Sequence, residues 1–434
     1  MKELNPVKTR PARGYPIECP DVREFTLHGK RIALDVNTLA VARLDGDEVL
    51  NGWGCAEKPQ FRGLGDCTSA RKIVLNVTHA CNLACRYCFA ADYQTMPSMT
   101  PETACRAVDR LFAPQHDINL AFFGGEPLLA WETMLAVIVY ASTLAKARRV
   151  KAHFHITTNG TLLDADKVEI INRHGCSILL SMDGPKELHN AWRPARKADT
   201  DSHGASIAGL TLLRKADAGS RVTIRATYPL SDPRLLERLR YFARIQDNGA
   251  ISGFSVEPAI MTEGCAVSDE DGIFPDSLRA EYHDAAQWYV GRLKARKPTG
   301  YFHFRKLLQR LLTRQVSATE CGAGCGYLTV GPDGSIFACH REEGTRIGHV
   351  DTGIDEALRC AWRDNRYYQR PACVACWLRH ACGGGCRQIL AEQGRPLSEI
   401  YPARCAMMET IVRECLWILS QVEHDILTGA VGAK

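Results

Sequence analysis

The sequence predicts an α/β protein built on a parallel sheet, and two observations carry that prediction. Between about residues 71 and 300, six β-type runs (73–77, 118–124, 153–158, 177–182, 221–227 and 251–257) alternate with amphipathic stretches such as 128–148, 163–174, 205–218 and 232–245. Strands separated by helices pair in parallel through crossovers, so this region forms one sheet with helices packed on it. The flanks have a different texture. Residues 1–70 hold short β runs, and residues 301–434 are dominated by cysteines on glycine-rich loops before a final helix expected over 405–427.

In order along the chain, Arg23–Leu27, Arg31–Val36 and Leu39–Leu44 read as a small meander, with His28-Gly29-Lys30 as its first turn. The apolar run Ile73-Val74-Leu75-Asn76-Val77 then leads directly into Cys81, Cys85 and Cys88, spaced C-x3-C-x2-C. Three thiolates hold three irons of a four-iron cluster and leave the fourth with an open coordination position, which makes a reactive centre. A zinc loop is the alternative, although structural zinc takes four closed ligands. Further along, strand ends carry polar or glycine signatures, where ligands sit in parallel α/β folds. Gly124-Gly125-Glu126-Pro127 ends the second run. Its glycines permit close backbone approach and its carboxylate suits an ammonium group, while a plain turn before a helix with Pro127 at the first position is the alternative. Thr158 and Asn159 end the third run with groups that can hydrogen-bond a ribose. Ser181 ends the fourth, Arg193 follows twelve positions later, and Asp183 reads as the cap of the next helix.

The chain's 19 cysteines among 434 residues, with no apolar h-region at Met1–Pro6, read as metal ligands and free thiols rather than disulfides, and the expected location is cytoplasmic. No stretch is expected to span a membrane. A net charge of +5 spread along the chain does not argue for nucleic acid. Not counting Cys360, eight cysteines fall between Cys321 and Cys405: Cys321, Cys325, Cys339, Cys373, Cys376, Cys382, Cys386 and Cys405. They suffice for two fully ligated four-iron clusters, with zinc-ribbon sites as the alternative. Cys19, Cys55, Cys67, Cys105, Cys176, Cys265, Cys360 and Cys415 are expected to be mostly small buried apolar residues.

The C-x3-C-x2-C loop with Tyr87 inside it, the G-G-E-P segment and the Ser181/Arg193 pair resemble the radical S-adenosylmethionine (SAM) enzymes. The run Cys339, Cys373-x2-Cys376-x5-Cys382-x3-Cys386, Cys405 resembles the SPASM domain of peptide-modifying members. Cys321-Gly322-Ala323-Gly324, the following Tyr327–Gly334 and Cys339-His340-Arg341 are similar to the thioether-forming maturases of the SCIFF/ranthipeptide group and to the maturation enzyme of quinohemoprotein amine dehydrogenase. Segments Asp35-Val36-Asn37 and Ser255-Val256-Glu257-Pro258 resemble the same group.

The resemblance implies a partial (β/α)6 barrel and three [4Fe-4S] clusters. Cys81, Cys85 and Cys88 would carry the SAM-binding cluster. Cys321, Cys325, Cys339 and Cys386 would hold one auxiliary cluster, and Cys373, Cys376, Cys382 and Cys405 the other. Tyr87, Gly124, Gly125, Glu126, Thr158, Asn159, Ser181 and Arg193 would contact SAM, with Arg193 on its carboxylate. The implied chemistry is reductive cleavage of SAM and hydrogen abstraction from a precursor peptide or small protein, with flavodoxin or ferredoxin as electron donor, to form a crosslink. Sulfatase maturases carry an Asp base after the corresponding cysteine, where this chain has His340. His340 is therefore the candidate base, and formylglycine formation is the alternative reaction. A non-catalytic iron–sulfur carrier or peptide-binding scaffold is an alternative of another class. The N-terminal meander reads either as a reduced recognition module in which a leader peptide adds a strand, or as a simple cover for the barrel.

Overall fold

A computed structural model describes residues 22–45, 49–51, 60–62, 70–91, 97–259, 275–317, 319–342 and 344–432. The N-terminal strands β1 (Val22–Leu27), β2 (Lys30–Asp35), β3 (Val41–Arg43) and β4 (Val49–Asn51) form an antiparallel meander in that order. The third expected run is shortened because Leu39 takes a left-handed φ of 57°. β5 (Gln60–Arg62) pairs instead with a later strand.

The parallel unit consists of β6 (Lys72–Thr78), β7 (Ile118–Gly124), β8 (Ala152–Thr158), β9 (Ser177–Ser181), β10 (Val222–Pro229) and β11 (Gly253–Ala259). These six lie side by side in sequence order. No reversal of order occurs, so the sheet is singly wound and curls, unlike a doubly wound sheet with its switch point. It is a partial barrel: β6 does not pair with β11, which leaves β11 at the sheet edge. Alternate residues such as Leu75, Phe122, Ile156, Leu180, Ile224 and Val256 are buried in the core. Phe123, His155, Thr157, Ser181, Arg225 and Glu257, on the other parity, stay at least partly accessible. That two-residue alternation gives the concave face a polar lining.

The remaining strands are β12 (Gln315–Ser317), which pairs with β5, and β13 (Tyr327–Val330), β14 (Ser335–Phe337), β15 (Arg346–His349) and β16 (Gly353–Ile354). β13 runs parallel beside β6, with Tyr327 opposite Lys72 and Val330 opposite Leu75, and β14 to β16 continue antiparallel. The cysteine-rich region thus extends the barrel sheet to ten strands.

Helix Pro101–Leu111 lies between β6 and β7, with Thr100 accepting from the Thr103 amide and Pro101 in the first turn. The expected helices appear as Trp131–Arg148, Ala165–Arg173, Ser202–Lys215 and Leu235–Asp247. The expected final helix is two, Pro402–Gln421 and His424–Val431, parted at Val422, which is extended. Contrary to expectation, one stretch of the described residues, Pro127–Arg148, is long and apolar enough to cross a membrane. In this fold it is the β7–β8 crossover, with Met134, Val137, Ile138 and Ala141 buried.

Arg43 joins the meander to the C-terminal helix. Its Nε donates to Leu419 O at 3.0 Å, and its Nη2 donates to Leu419 O at 2.7 Å and to Val422 O. These carbonyls lie at the helix end, where intrahelical donors are missing. Arg43→Ala is expected to destabilise the fold by about 1.5–3 kcal/mol, the worth of charge-assisted hydrogen bonds, with a lowered thermal midpoint and unchanged iron content. Loss of iron at unchanged midpoint would contradict this structural role.

Candidate active site

The loop Cys81–Cys88 emerges from the C-terminal end of β6, and backbone pairing fixes its course. Ala84 N donates to Pro194 O at 2.8 Å, Arg86 N to Trp192 O at 3.0 Å and Arg196 N to Asn82 O at 3.0 Å. On its other side lie the β7-end glycines. Gly125 N donates to Thr78 O at 2.8 Å and Glu126 N to Ala80 O at 2.9 Å. A Cβ on Gly125 would meet Ala80 O at 2.3 Å, and one on Gly124 would meet Thr78 O at 2.0 Å, with φ of 136° at Gly124. The close approach these glycines allow is therefore to the cysteine loop's own backbone.

Cys81, Cys85 and Cys88 are all free and partly buried. Burial pushes the Cys81 thiol up to about 11 and the Cys85 thiol to about 12. Buried thiols of this kind become thiolates only when a cation takes the charge, which suits an iron site.

Glu126 is fully buried. Its carboxylate accepts from Thr158 Oγ1 at 2.7 Å, Asn159 N at 2.7 Å and Leu128 N at 3.1 Å. It thus caps the turn at Pro127 and ties the end of β7 to that of β8. Burial pushes its carboxyl up to about 7 despite these donors. Asn159 Nδ2 donates to Asn82 Oδ1 at 2.9 Å, which fastens the cysteine loop to β8, while Asn159 Oδ1 accepts from Thr161.

Asp183 does not cap a helix: the cap position of Lys186–Trp192 is Pro185. Asp183 is instead wholly buried and accepts from Thr227 N at 2.9 Å and from Tyr87 Oη. Arg193 Nε lies 2.9 Å from its Oδ1, an ion pair whose N–H does not point along the contact. The Arg193 guanidinium sits over the Tyr87 ring at 5.3 Å, and its Nη1 is 3.8 Å from Cys85 Sγ. Asp183 and Tyr87 thus hold a cation beside the cysteine loop. Ser181 lies at the end of β9, opposite Arg225.

The C-terminal thiols gather in two groups. Cys339 has Cys386 and Cys321 as charged neighbours, and Cys386 has Cys321. Cys405 neighbours Cys373 and Cys376, and Cys382 neighbours Cys405. The Arg404–Glu320 ion pair neighbours Cys386 and Cys382, one from each group. Cys325 differs from the other seven: it is buried and disulfide-bonded, so it could ligate iron only after reduction. Of the remaining cysteines, Cys176 and Cys415 are buried as expected, whereas Cys105 and Cys360 are partly exposed. Cys19, Cys55, Cys67 and Cys265 lie outside the described residues.

A narrow cleft of about 10 Å³, room for about one water, lies among Asn76, His79, Phe89, Phe123, His340 and Glu342. His340 packs edge-on to Phe123 at 4.9 Å, and its Nδ1 is 3.3 Å from Tyr327 Oη. Burial pushes its imidazole down to about 3, helped by Arg341, Arg225 and Lys72. A ring that stays neutral to such low pH is a weak general base, and the expected base role gains no support from it. Sequence reasoning missed Glu342. Its carboxylate contacts His79 Nε2 at 3.1 Å and accepts from Asn76 Nδ2, on a left-handed backbone of φ 66°. Only its place three residues after Cys339 signals it.

Residues 75–229 match the family model of the Radical SAM superfamily. This segment is a radical SAM domain. Over 401 residues the chain is 22% identical to the radical SAM cyclopropyl synthase TigE of Paramaledivibacter caminithermalis, covering 86% of this chain and 79% of that protein. It is 24% identical over 334 residues to the serine-type anaerobic sulfatase-maturating enzyme of Klebsiella aerogenes, covering 73% and 79%. Among solved structures, native anSMEcpe with bound AdoMet aligns with a TM-score of 0.66 at 20% identity, over 80% of this chain and 98% of that one. Streptococcus suis SuiB bound to precursor peptide SuiA gives 0.53 at 17% identity, over 77% and 75%. The partial barrel thus has the radical SAM fold, and residues 75–229 belong to that superfamily, in which an iron–sulfur cluster and SAM act together.

Glu126 makes the site's pH response testable. Its carboxyl titrates near 4.5 when unfolded and near 7 when folded, so the folded state binds the extra proton between those values. Stability of the SAM-free protein is then full below about pH 4.5 and is lost as pH rises through about 7, by roughly 3 kcal/mol for a shift of this size. Denaturant titrations should show that decline in the wild type and a flatter profile in Glu126→Gln. Parallel profiles would rule Glu126 out as its source.

Proposed function

We propose that the protein is a cytoplasmic peptide maturase. It would carry three [4Fe-4S] clusters and install a crosslink, a thioether, in a short precursor peptide or small protein, with flavodoxin or ferredoxin supplying electrons. The observation that carries this reading is the gathering of C-terminal thiols in two groups, with His340 to Glu342, just after Cys339, facing His79 and Phe89, which flank the Cys81–Cys88 loop. The relatives support it too, since SuiB is solved with its precursor peptide and TigE is a cyclopropyl synthase.

Cluster and SAM together supply, when bound, a carbon radical able to take hydrogen from an unactivated C–H bond. Everything else falls to the chain's residues. Cys81, Cys85 and Cys88 would hold the iron. Arg193, oriented by Asp183 and Tyr87, would hold the methionine carboxylate, and Thr158, Asn159 and Ser181 would line the same strand ends. Gly124 and Gly125 keep the loop against β7. Glu126, with its hydrogen bonds already made inside the protein, acts by bracing the pocket and by the negative charge it can offer an ammonium. Phe89 and Phe123 keep bulk water from the cleft. Cys321, Cys325, Cys339 and Cys386, with Cys325 reduced, would form one auxiliary site, and Cys373, Cys376, Cys382 and Cys405 the other. The corresponding division is 1–70 for the β-rich segment, 71–300 for the barrel and 301–434 for the auxiliary domain.

Formylglycine formation is the second reading, favoured by the sulfatase-maturating relatives. His340, in place of their Asp by the resemblance above, and its low basicity weigh against it.

Anaerobic reconstitution should give about twelve irons per chain, and replacing Cys81, Cys85 and Cys88 together by Ala should remove about four of them with all SAM cleavage. A plateau near four irons in the intact protein would reject two auxiliary clusters.

The product separates the two readings. A peptide about 2 Da lighter, with one cysteine no longer alkylated by iodoacetamide, is expected for a thioether. A hydrazide-reactive aldehyde would mean formylglycine instead.

A further inference from the structure

The tip of the N-terminal hairpin meets two helices through His28, His283 and Glu414, the last of which precedes the buried Cys415. His28 lies in the β1–β2 turn with φ of 47°, followed by Gly29 at 79°. Histidine tolerates the left-handed region better than most residues, and this placement directs its ring back toward the domain. His28 Nε2 is 3.4 Å from Glu414 Oε1, on helix Pro402–Gln421, and His283 Nδ1, on helix Asp276–Lys294, is 3.0 Å from Glu414 Oε2. The two imidazoles stack at 3.4 Å, and Trp417 shields both from the side. The Glu414 side chain is only 9% exposed.

A carboxylate that deeply placed needs a compensating positive charge. The neighbouring guanidiniums are directed elsewhere: Arg413 to Glu409, and Arg279 to Asp276 and Thr410. An imidazole compensates only when protonated, and its neutral form is a metal ligand. The three donor atoms already lie within 4.8 Å of one another. Zinc bonds of about 2.0–2.1 Å at tetrahedral angles need donor separations of roughly 3.3 Å, which both histidine–carboxylate contacts approach, each on its own oxygen of Glu414, so the carboxylate would bridge the ion's edge or turn to offer one oxygen. Rotation of His28, whose side chain is 45% exposed, closes the rest. The far nitrogen of His283 lies 3.0 Å from the Gln287 side-chain amide, which, with its oxygen turned to the ring, accepts the N–H that a metal-bound histidine carries there.

We infer that His28, His283 and Glu414 form a site for one divalent transition-metal ion, zinc by donor type. The ion ties the N-terminal hairpin to the helices at its back and leaves a coordination position toward solvent. This site is independent of the iron–sulfur chemistry.

The test uses the cluster-loaded full chain, stripped with EDTA, given one equivalent of Zn²⁺, freed of unbound metal by gel filtration and analysed for zinc and iron by mass spectrometry. The wild type should retain about one zinc more than His28→Ala/His283→Ala, at equal iron. Glu414→Gln, which keeps the shape of the side chain, should also lose that zinc. Gln287→Ala should hold it about tenfold more weakly, an effect that plain packing would not produce. Equal zinc in wild type and both ligand variants, at equal iron, would overturn the inference and leave protonation as the source of Glu414's compensation.

Discussion

The site depends on one steric constraint, the contact between the glycines ending β7 and the backbone of residues 78–80. Three carbonyls, those of Thr78, His79 and Ala80 leading into the cysteine loop, occupy the space that side chains at 124 and 125 would fill. Because of that contact, the loop receives two amide hydrogen bonds from the neighbouring strand end and is pinned from the opposite side by residues 192–196. A loop held on both flanks presents its three thiols in a fixed arrangement before iron arrives. Backbone geometry carries much of the preorganisation, and the Asn82–Asn159 side-chain hydrogen bond adds to it.

A second layer of order comes from buried charge. Glu126 and Asp183 have no solvent exposure, and each joins neighbouring strand ends, β7 with β8 and β9 with β10. Each also reaches the cysteine loop's surroundings, through Asn159 and Asn82 in one case and through Tyr87 and Arg193 in the other. Such groups are costly to bury and are kept where geometry must be specific.

Much of this could be read from the chain. The six parallel strands were legible because each is a short apolar run bounded by turn residues, and the barrel's connections admit one handedness. The cysteine spacings stood out because ligands of one cluster must lie close together, and within each C-terminal group the thiols do neighbour one another in the fold. Asp183 was not, because an Asp before a helix looks like a cap, and only the tertiary structure shows its carboxylate turned to Arg193 and Tyr87. Glu342 escaped for a similar reason: its partners, Asn76 and His79, lie more than 260 residues away in sequence. His340 follows Cys339 in sequence, but its low basicity comes from burial and from Arg341, Arg225 and Lys72, a setting that the fold assembles from distant segments. The break near Val422 in the last helix has no glycine or proline to announce it.

The pairing of β13 with β6 has a consequence for how the protein is made. The first barrel strand acquires its second neighbour only after about 250 further residues have been synthesised, which at ribosomal speeds takes some tens of seconds. During that interval β6 offers a bare hydrogen-bonding edge beside three unligated thiols, a combination open to mispairing with other chains and to oxidation. Assembly of this enzyme is therefore a problem of timing, in which the nascent barrel has to be shielded until its own C-terminal region arrives.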